Sequence, residues 1–275
     1  MPQTNDFIDV AVVQMNSQND VEQNLKTASV LVRDAAERGA RLVVLPENFG
    51  FFGPESERVP IQEPLGDLER PLQKALSSMA RENSVTVVGG GLPETSEDPS
   101  KPFNTAVVFA PSGELVASYR KIHLFDVELA DGTRLHESNA TAQGSDVTVF
   151  EVEGFSVGLS ICYDLRFPEL YRRLVSKGAE VLLVPAAFTL HTGKDHWHVL
   201  LRSRAIESQC WVAAPAQYGA HPKGRRTYGH SLVVDPWGTV VADAPDGVRV
   251  VLARIERRRM EEIRRDLPSL EHRRL

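Results

Sequence analysis

"GLSICYDLRFPEL", residues 158–170, decides how this chain is layered. The apolar run 155–162 reads as a buried strand that closes on Cys162. An acid, a base, a proline and a second acid follow at once (Asp164, Arg166, Pro168, Glu169), and a helix over 167–177 starts among them. The next apolar run, "AEVLLVP" at 179–185, is a strand again. Strand, helix and strand in so short a span mark a layered α/β protein.

The same alternation runs outward in both directions. "FIDVAVVQMN" (7–16) is a strand, and 20–40 is an amphipathic helix with Asp20 at its start and Gly39 at its end. "RLVVLPE" (41–47) is a buried strand stopped by a proline; a helix over 67–83 and the strand "VTVVGGG" (85–91) follow. Extended segments occupy 104–111, 112–121, 146–154 and 155–162. Beyond 185 come a long helix at 195–209, strands near 211–216, 230–235, 238–243 and 248–254, and a helix after 256. No internal repeat or linker interrupts the 275 residues, so a single domain over 1–275 is expected. Two helix-and-strand sets predict a four-layer α-β-β-α sandwich, two mixed sheets with helices on the outer faces.

Charge and composition exclude several classes of partner. The formal net charge is −6, which favours neither nucleic acid nor an anionic membrane. The arginines after residue 254 are interleaved with acids, as on a solvated helix. No apolar run reaches the ~20 residues of a membrane span, and residues 1–10 lack the pattern of a signal peptide. With only two cysteines, free thiols in a reducing cytoplasm are the simpler expectation.

Three reactive side chains stand at strand ends, where layered α/β proteins gather ligand-binding groups: Glu47, Lys121 and Cys162. Each alone has a plain structural reading, as a turn acid, a surface cation and a small core residue. Together they form a complete acyl-transfer set. A cysteine attacks as thiolate and needs a base. A desolvated carboxylate supplies the base, and an ammonium with the backbone N–H of Tyr163 supplies an oxyanion site.

"LPENFGFF", "YRKIHLFDVEL" and "ICYDLRFPEL" resemble, in order and spacing, the three signature segments of the nitrilase, or carbon–nitrogen hydrolase, superfamily. The flanks "HWHVLLRSRAIESQCWV", "YGHSLVVDPWGTVVA" and "LPSLEHRR" extend the similarity over nearly the whole chain and are most similar to the Nit branch. The resemblance implies Glu47 as general base, Lys121 as oxyanion stabiliser, Cys162 as nucleophile and Glu137 as a second acid aligning Lys121. It further implies a homodimer or higher homo-oligomer, without metal or organic cofactor. The implied reaction hydrolyses the C–N bond of a small carboxylate-bearing amide through a thioester, with release of ammonia. Omega-, aliphatic and N-carbamoyl amidase activities are the alternatives, as is a catalytically idle binding protein of the same fold. Where the family usually has "PAHWE" this chain has "KDHWH", placing His198 at a glutamate position beside the expected cleft.

Other residues are supporting candidates. Asp164, Arg166 and Glu169 are expected to pair and brace the Cys162 turn, while Phe188, Thr189, His196 and Trp197 are expected behind or beside the site. Arg202, Arg204 and Arg225 are candidates for holding a substrate carboxylate. "GLSIC" meets only part of a G-x-S-x-G pattern, with His230 and Asp235 as weak partners for Ser160. A Cys–His site using His123 or His230 is disfavoured by the strand before Cys162. His191, His196 and His198 lack helical metal-pair spacing within their own segment. Gly89–Gly91 lack a phosphate-binding register and read as a close-packed strand end, and Cys210 as a packing residue.

Overall fold

A computed structural model of the chain describes residues 5–128 and 134–274. Leu129, which ends the second signature segment, lies outside them. The first half contains β1 (Phe7–Gln14), α1 (Val21–Glu37), β2 (Leu42–Val44), α2 (Pro71–Asn83), β3 (Thr86–Glu94), β4 (Phe103–Phe109) and β5 (Leu115–Arg120). A small hairpin follows, β6 (Asp126–Glu128) with β7 (Arg134–His136). The second half contains β8 (Val149–Val152), β9 (Phe155–Leu159), α3 (Pro168–Ser176), β10 (Val181–Leu183), α4 (Leu190–Ser208) and β11 (Trp211–Ala214). It continues with β12 (Tyr218–Ala220), β13 (Arg226–Tyr228), β14 (Leu232–Val234), β15 (Val240–Asp243), β16 (Arg249–Glu256) and α5 (Arg257–Asp266).

Two six-stranded mixed sheets result, ordered β16-β1-β2-β3-β4-β5 and β15-β14-β11-β10-β9-β8. Each has a parallel centre, β1-β2-β3 or β9-β10-β11, flanked by antiparallel strands. Each centre is a β-α-β-α-β run, so the halves are topological copies that share no detectable sequence repeat. The first sheet borrows its flanking strand, β16, from the far end of the chain.

Strand periodicity builds the four layers. Val10 and Val12 of β1, with Val44 and Val88, face the second sheet, while Ala11, Val13 and Val43 face α1 and α2. Strands buried on both sides must be apolar at every position, which is why "VAVV" and "LVVL" are unbroken runs. Tyr171, Leu174, Trp197 and Leu201 of α3 and α4 close the opposite face. Asp20 caps α1 by accepting from Gln23 N–H at 3.0 Å.

Several boundaries differ from expectation, among them α2, which opens at Pro71 and not at 67, and three of the differences have a local reason. Helix α4 begins at Leu190, not 195, because Thr189 caps it and Gly193 is accommodated where Tyr228 leaves no room for a side chain. β9 ends at Leu159, so Cys162 lies beyond the strand on a tight turn. Gly89–Gly91 lie inside β3, at a register break between Gly89 and Leu92, rather than at a strand end.

At that break the sheets and the loops after β2 and β10 converge. A Cβ on Gly90 would stand 2.2 Å from the Leu45 carbonyl oxygen and 2.5 Å from Pro185 Cβ. Both obstacles are backbone or ring atoms that cannot rotate away. Gly90→Ala is therefore expected to destabilise the fold by about 3 kcal/mol or more, read from a urea melt; an unchanged midpoint would refute the close approach.

Candidate active site

Three loops carry the expected side chains into one place. Glu47 follows β2 by the Leu45-Pro46 turn, Lys121 directly follows β5, and Cys162 opens a single 3-10 turn, Cys162–Arg166. All three are buried. Cys162 has φ +48°, a conformation uncommon for a residue with a Cβ, and its N–H donates to the Pro185 carbonyl at 2.9 Å. The turn thus holds the thiol at a fixed angle rather than leaving it at the strand's natural alternation.

Asp164 is the brace. Its carboxylate is fully buried and accepts from Ile161 N–H (2.8 Å), Tyr119 O–H (2.7 Å), and His123 N–H (3.0 Å), with His123 Nδ1 at 2.7 Å. Tyr119 and His123 flank Lys121 in sequence, so Asp164 ties the cysteine turn to the lysine segment. Arg166 does not join this brace. It reaches His196 Nδ1 at 3.3 Å, with its guanidinium 5.1 Å from the centre of the Phe188 ring, while Glu169 is exposed. Of the three charged side chains, only Asp164 is buried in the turn.

The acids and the lysine form one network. Lys121 Nζ donates to Glu47 Oε1 at 3.0 Å and to Glu137 Oε2 at 2.9 Å. Glu47 also accepts from Asn104 Nδ2 and from Ala187 N–H, each at 2.9 Å. Glu137 accepts from Phe125 N–H at 2.7 Å. Burial works against the Lys121 charge, but Glu137 and Glu47 outweigh it and hold the ammonium above its ordinary pKa. Burial would likewise neutralise Glu137, yet Lys121 keeps its carboxyl below the usual range. Burial pushes the Cys162 thiol well above its ordinary pKa; the adjacent Glu47 carboxylate, within hydrogen-bonding reach, adds to this, and Lys121 opposes it. Both burial and Glu47 thus favour the neutral form of Cys162.

These groups line a cavity of about 690 Å³ with Thr189, Phe51, Phe52 and Leu190. Arg58, Arg134, Lys194, Lys223, Arg225 and Arg226 also line it, which makes the approach cationic. Of the three arginines singled out by sequence, only Arg225 is here, paired with Glu55 at 2.6 Å. Arg202 is bound to the Gly238 carbonyl and buried Arg204 to Glu207 and the Leu165 carbonyl. Phe188 and Trp197 pack against each other behind the loop, 5.1 Å between rings, and His196 is exposed. His198 does not line this cavity; its Nε2 lies 2.9 Å from Asp243 Oδ2. His123 is tied to Asp164, and His230 to Asp243, so neither serves as base for Cys162. Asn104 escaped the sequence reading, since a polar residue heading an apolar strand carries no motif.

The sequence profile of the carbon–nitrogen hydrolase family matches residues 9–265. The chain belongs to that family. This carbon–nitrogen hydrolase is 45% identical over 266 residues to deaminated glutathione amidase of Synechocystis sp., covering 96% of this chain and 97% of that one. It is 44% identical over 270 residues to the human deaminated glutathione amidase, covering 96% and 82%. The crystal structure of Saccharomyces cerevisiae Nit3, a member of branch 10 of the nitrilase superfamily, superposes with TM-score 0.88 at 32% identity, covering 99% of this chain and 98% of that one. Its hydrolytic class and its layered architecture are thus those of the nitrilase superfamily. No helix among the described residues is long and apolar enough to cross a membrane.

Proposed function

We propose that this carbon–nitrogen hydrolase is a deaminated glutathione amidase that works through a Cys162 thioester. One observation carries the reading: a buried thiol lies beside a carboxylate that three donors hold in place, with a doubly paired ammonium adjoining. Neither partner alone makes the thiolate available. Proton transfer from Cys162 to Glu47 does, because it removes the Glu47 charge that opposed ionisation as the thiolate charge appears. The number of buried negative charges stays constant.

The thiolate attacks the amide carbonyl carbon, a C–S bond forms, and the carbonyl π pair moves onto oxygen. Lys121 Nζ, freed from the neutralised Glu47 but still charged through Glu137, stabilises that oxyanion with the Tyr163 N–H. Collapse breaks the C–N bond, and Glu47 returns its proton to the leaving nitrogen. Glu47 then takes a proton from water, which attacks the thioester and expels Cys162 as thiolate. A primary amide releases ammonia. Deaminated glutathione, in which a keto group replaces the amino group of the tripeptide, releases the amine of cysteinylglycine.

The cationic lining supports a substrate with carboxylates, and deaminated glutathione has two. A charge-assisted contact contributes about 1.5–3 kcal/mol, so carboxylated amides should exceed uncharged ones by at least ~10-fold in kcat/KM. Cleavage of deaminated glutathione, α-ketoglutaramate, an N-carbamoyl amino acid and butyramide, followed by chromatography and ammonia assay, tests this. Preference for butyramide would overturn it. The two unpaired thiols support a cytoplasmic setting. Exposed Val199 and Ile206 on α4, with Leu267 in the C-terminal segment, support a homodimer packed through those parts.

A further inference from the structure

Away from the cavity, two histidines converge on one carboxylate. His198 Nε2 lies 2.9 Å from Asp243 Oδ2, and His230 Nδ1 lies 3.0 Å from Asp243 Oδ1. One ligand atom from each residue falls within 4.8 Å of the other two. The three come from separate elements: His198 from α4, His230 from the turn between β13 and β14, and Asp243 from the end of β15. Helical spacing argues against a pair such as His196 and His198, and His196 indeed turns away toward Arg166. The fold makes the donor set that the spacing denied.

We propose that His198, His230 and Asp243 form a binding site for a divalent transition ion of the zinc type. Two imidazole nitrogens and one carboxylate oxygen, with water as fourth ligand, match that class of cation. Bond lengths of about 2.0–2.2 Å place tetrahedral ligands roughly 3.3–3.6 Å apart; the two imidazole–carboxylate separations would open by a few tenths of an ångström, and the ligand atoms, now within 4.8 Å of one another, would draw onto one centre. Tyr228 stacks on the His230 ring at 4.5 Å and fixes its plane. The nearby Arg202 is engaged with the Gly238 carbonyl. Side-chain exposures of 31%, 29% and 35% for His198, His230 and Asp243 leave an entry path for a hydrated ion.

The bound ion would join α4 to the β13–β14 turn. Thr189 at the head of α4 and Thr227 in β13, already paired in a backbone bridge, both line the catalytic cavity, so the ion would add a second tie between two cavity walls. Without metal, Asp243 accepts from both imidazoles and the fold persists.

The test titrates chelator-treated Cys162→Ala protein with zinc chloride in a calorimeter; this variant removes the catalytic thiol as a competing ligand. One saturable zinc equivalent is expected, with a higher melting temperature in its presence. His198→Gln and Asp243→Asn, each in that background, should weaken binding at least ~100-fold, the upper range for losing even an outer-shell partner. Metal-free melting curves show whether each variant is folded, and His198→Gln on the partly exposed helix face decides the matter if Asp243→Asn does not fold. No saturable binding, or equal binding by His198→Gln, overturns the site.

Discussion

Cys162→Ala protein is expected to lose amide hydrolysis by at least ~10⁴-fold while remaining folded. The loss is large because Ser160, the nearest aliphatic hydroxyl in sequence, is fully buried and bonded to Tyr171 and the Leu183 carbonyl, and cannot replace the thiol beside Glu47. The fold survives because the substitution removes one sulfur and keeps the backbone hydrogen bond from residue 162 to Pro185. Alanine meets the same strain at φ +48° as cysteine does, so the turn gains no new penalty. A melting temperature near that of the wild type, with no product by chromatography, is the expected pair of results. Residual turnover above a few per cent would move the nucleophile elsewhere.

Glu47→Gln is expected to lower kcat by roughly 10³-fold, within the range for removing a general base. The substitution keeps shape but not hydrogen bonding. Oε1 of Glu47 accepts from Asn104 and Lys121, and Oε2 accepts from Ala187 N–H. A glutamine has one oxygen and one NH₂, so whichever way it turns, N–H faces N–H on one side. A stability loss of about 1–3 kcal/mol should therefore accompany the kinetic one. The variant also removes a carboxylate that pushes the Cys162 pKa upward. Alkylation of Cys162 in the free enzyme should then rise at a lower pH than in the wild type, even though turnover is lost. That opposite movement separates a base from a merely structural acid; a parallel fall in both would contradict the assignment.

Much of this architecture is legible in the residues because burial dictates composition. Unbroken apolar runs at 10–13 and 42–45 had to be strands covered on both faces, and Asp20 with Gly39 bracketed a helix. Glu47, Lys121 and Cys162 stood out as polar groups ending apolar runs. What stayed hidden depends on contacts between distant segments. The correspondence of "VVLPE" with "LLVPA", each closing the middle strand of a β-α-β-α-β run, leaves too few shared residues to register as a repeat. Asp164 reads in the sequence as one of three charges bracing the Cys162 turn, but nothing local reveals Tyr119 and His123 as its partners. The family resemblance puts His198 beside the cleft, but its partner Asp243 comes from β15, which no spacing in the sequence brings near it. Asn104, Arg58 and Arg226 reach the cavity from separate parts of the chain and share no spacing that sequence could show.

The covalent intermediate is the centre of the account, and it can be weighed. Wild-type protein mixed with deaminated glutathione, quenched in acid within the first turnover and examined by peptide mass spectrometry, should show the substrate's acyl group attached to Cys162. The added mass should equal the substrate less its leaving amine. Turnover proceeding with Cys162 unmodified at every quench time, or the acyl group found on another residue, would contradict the account.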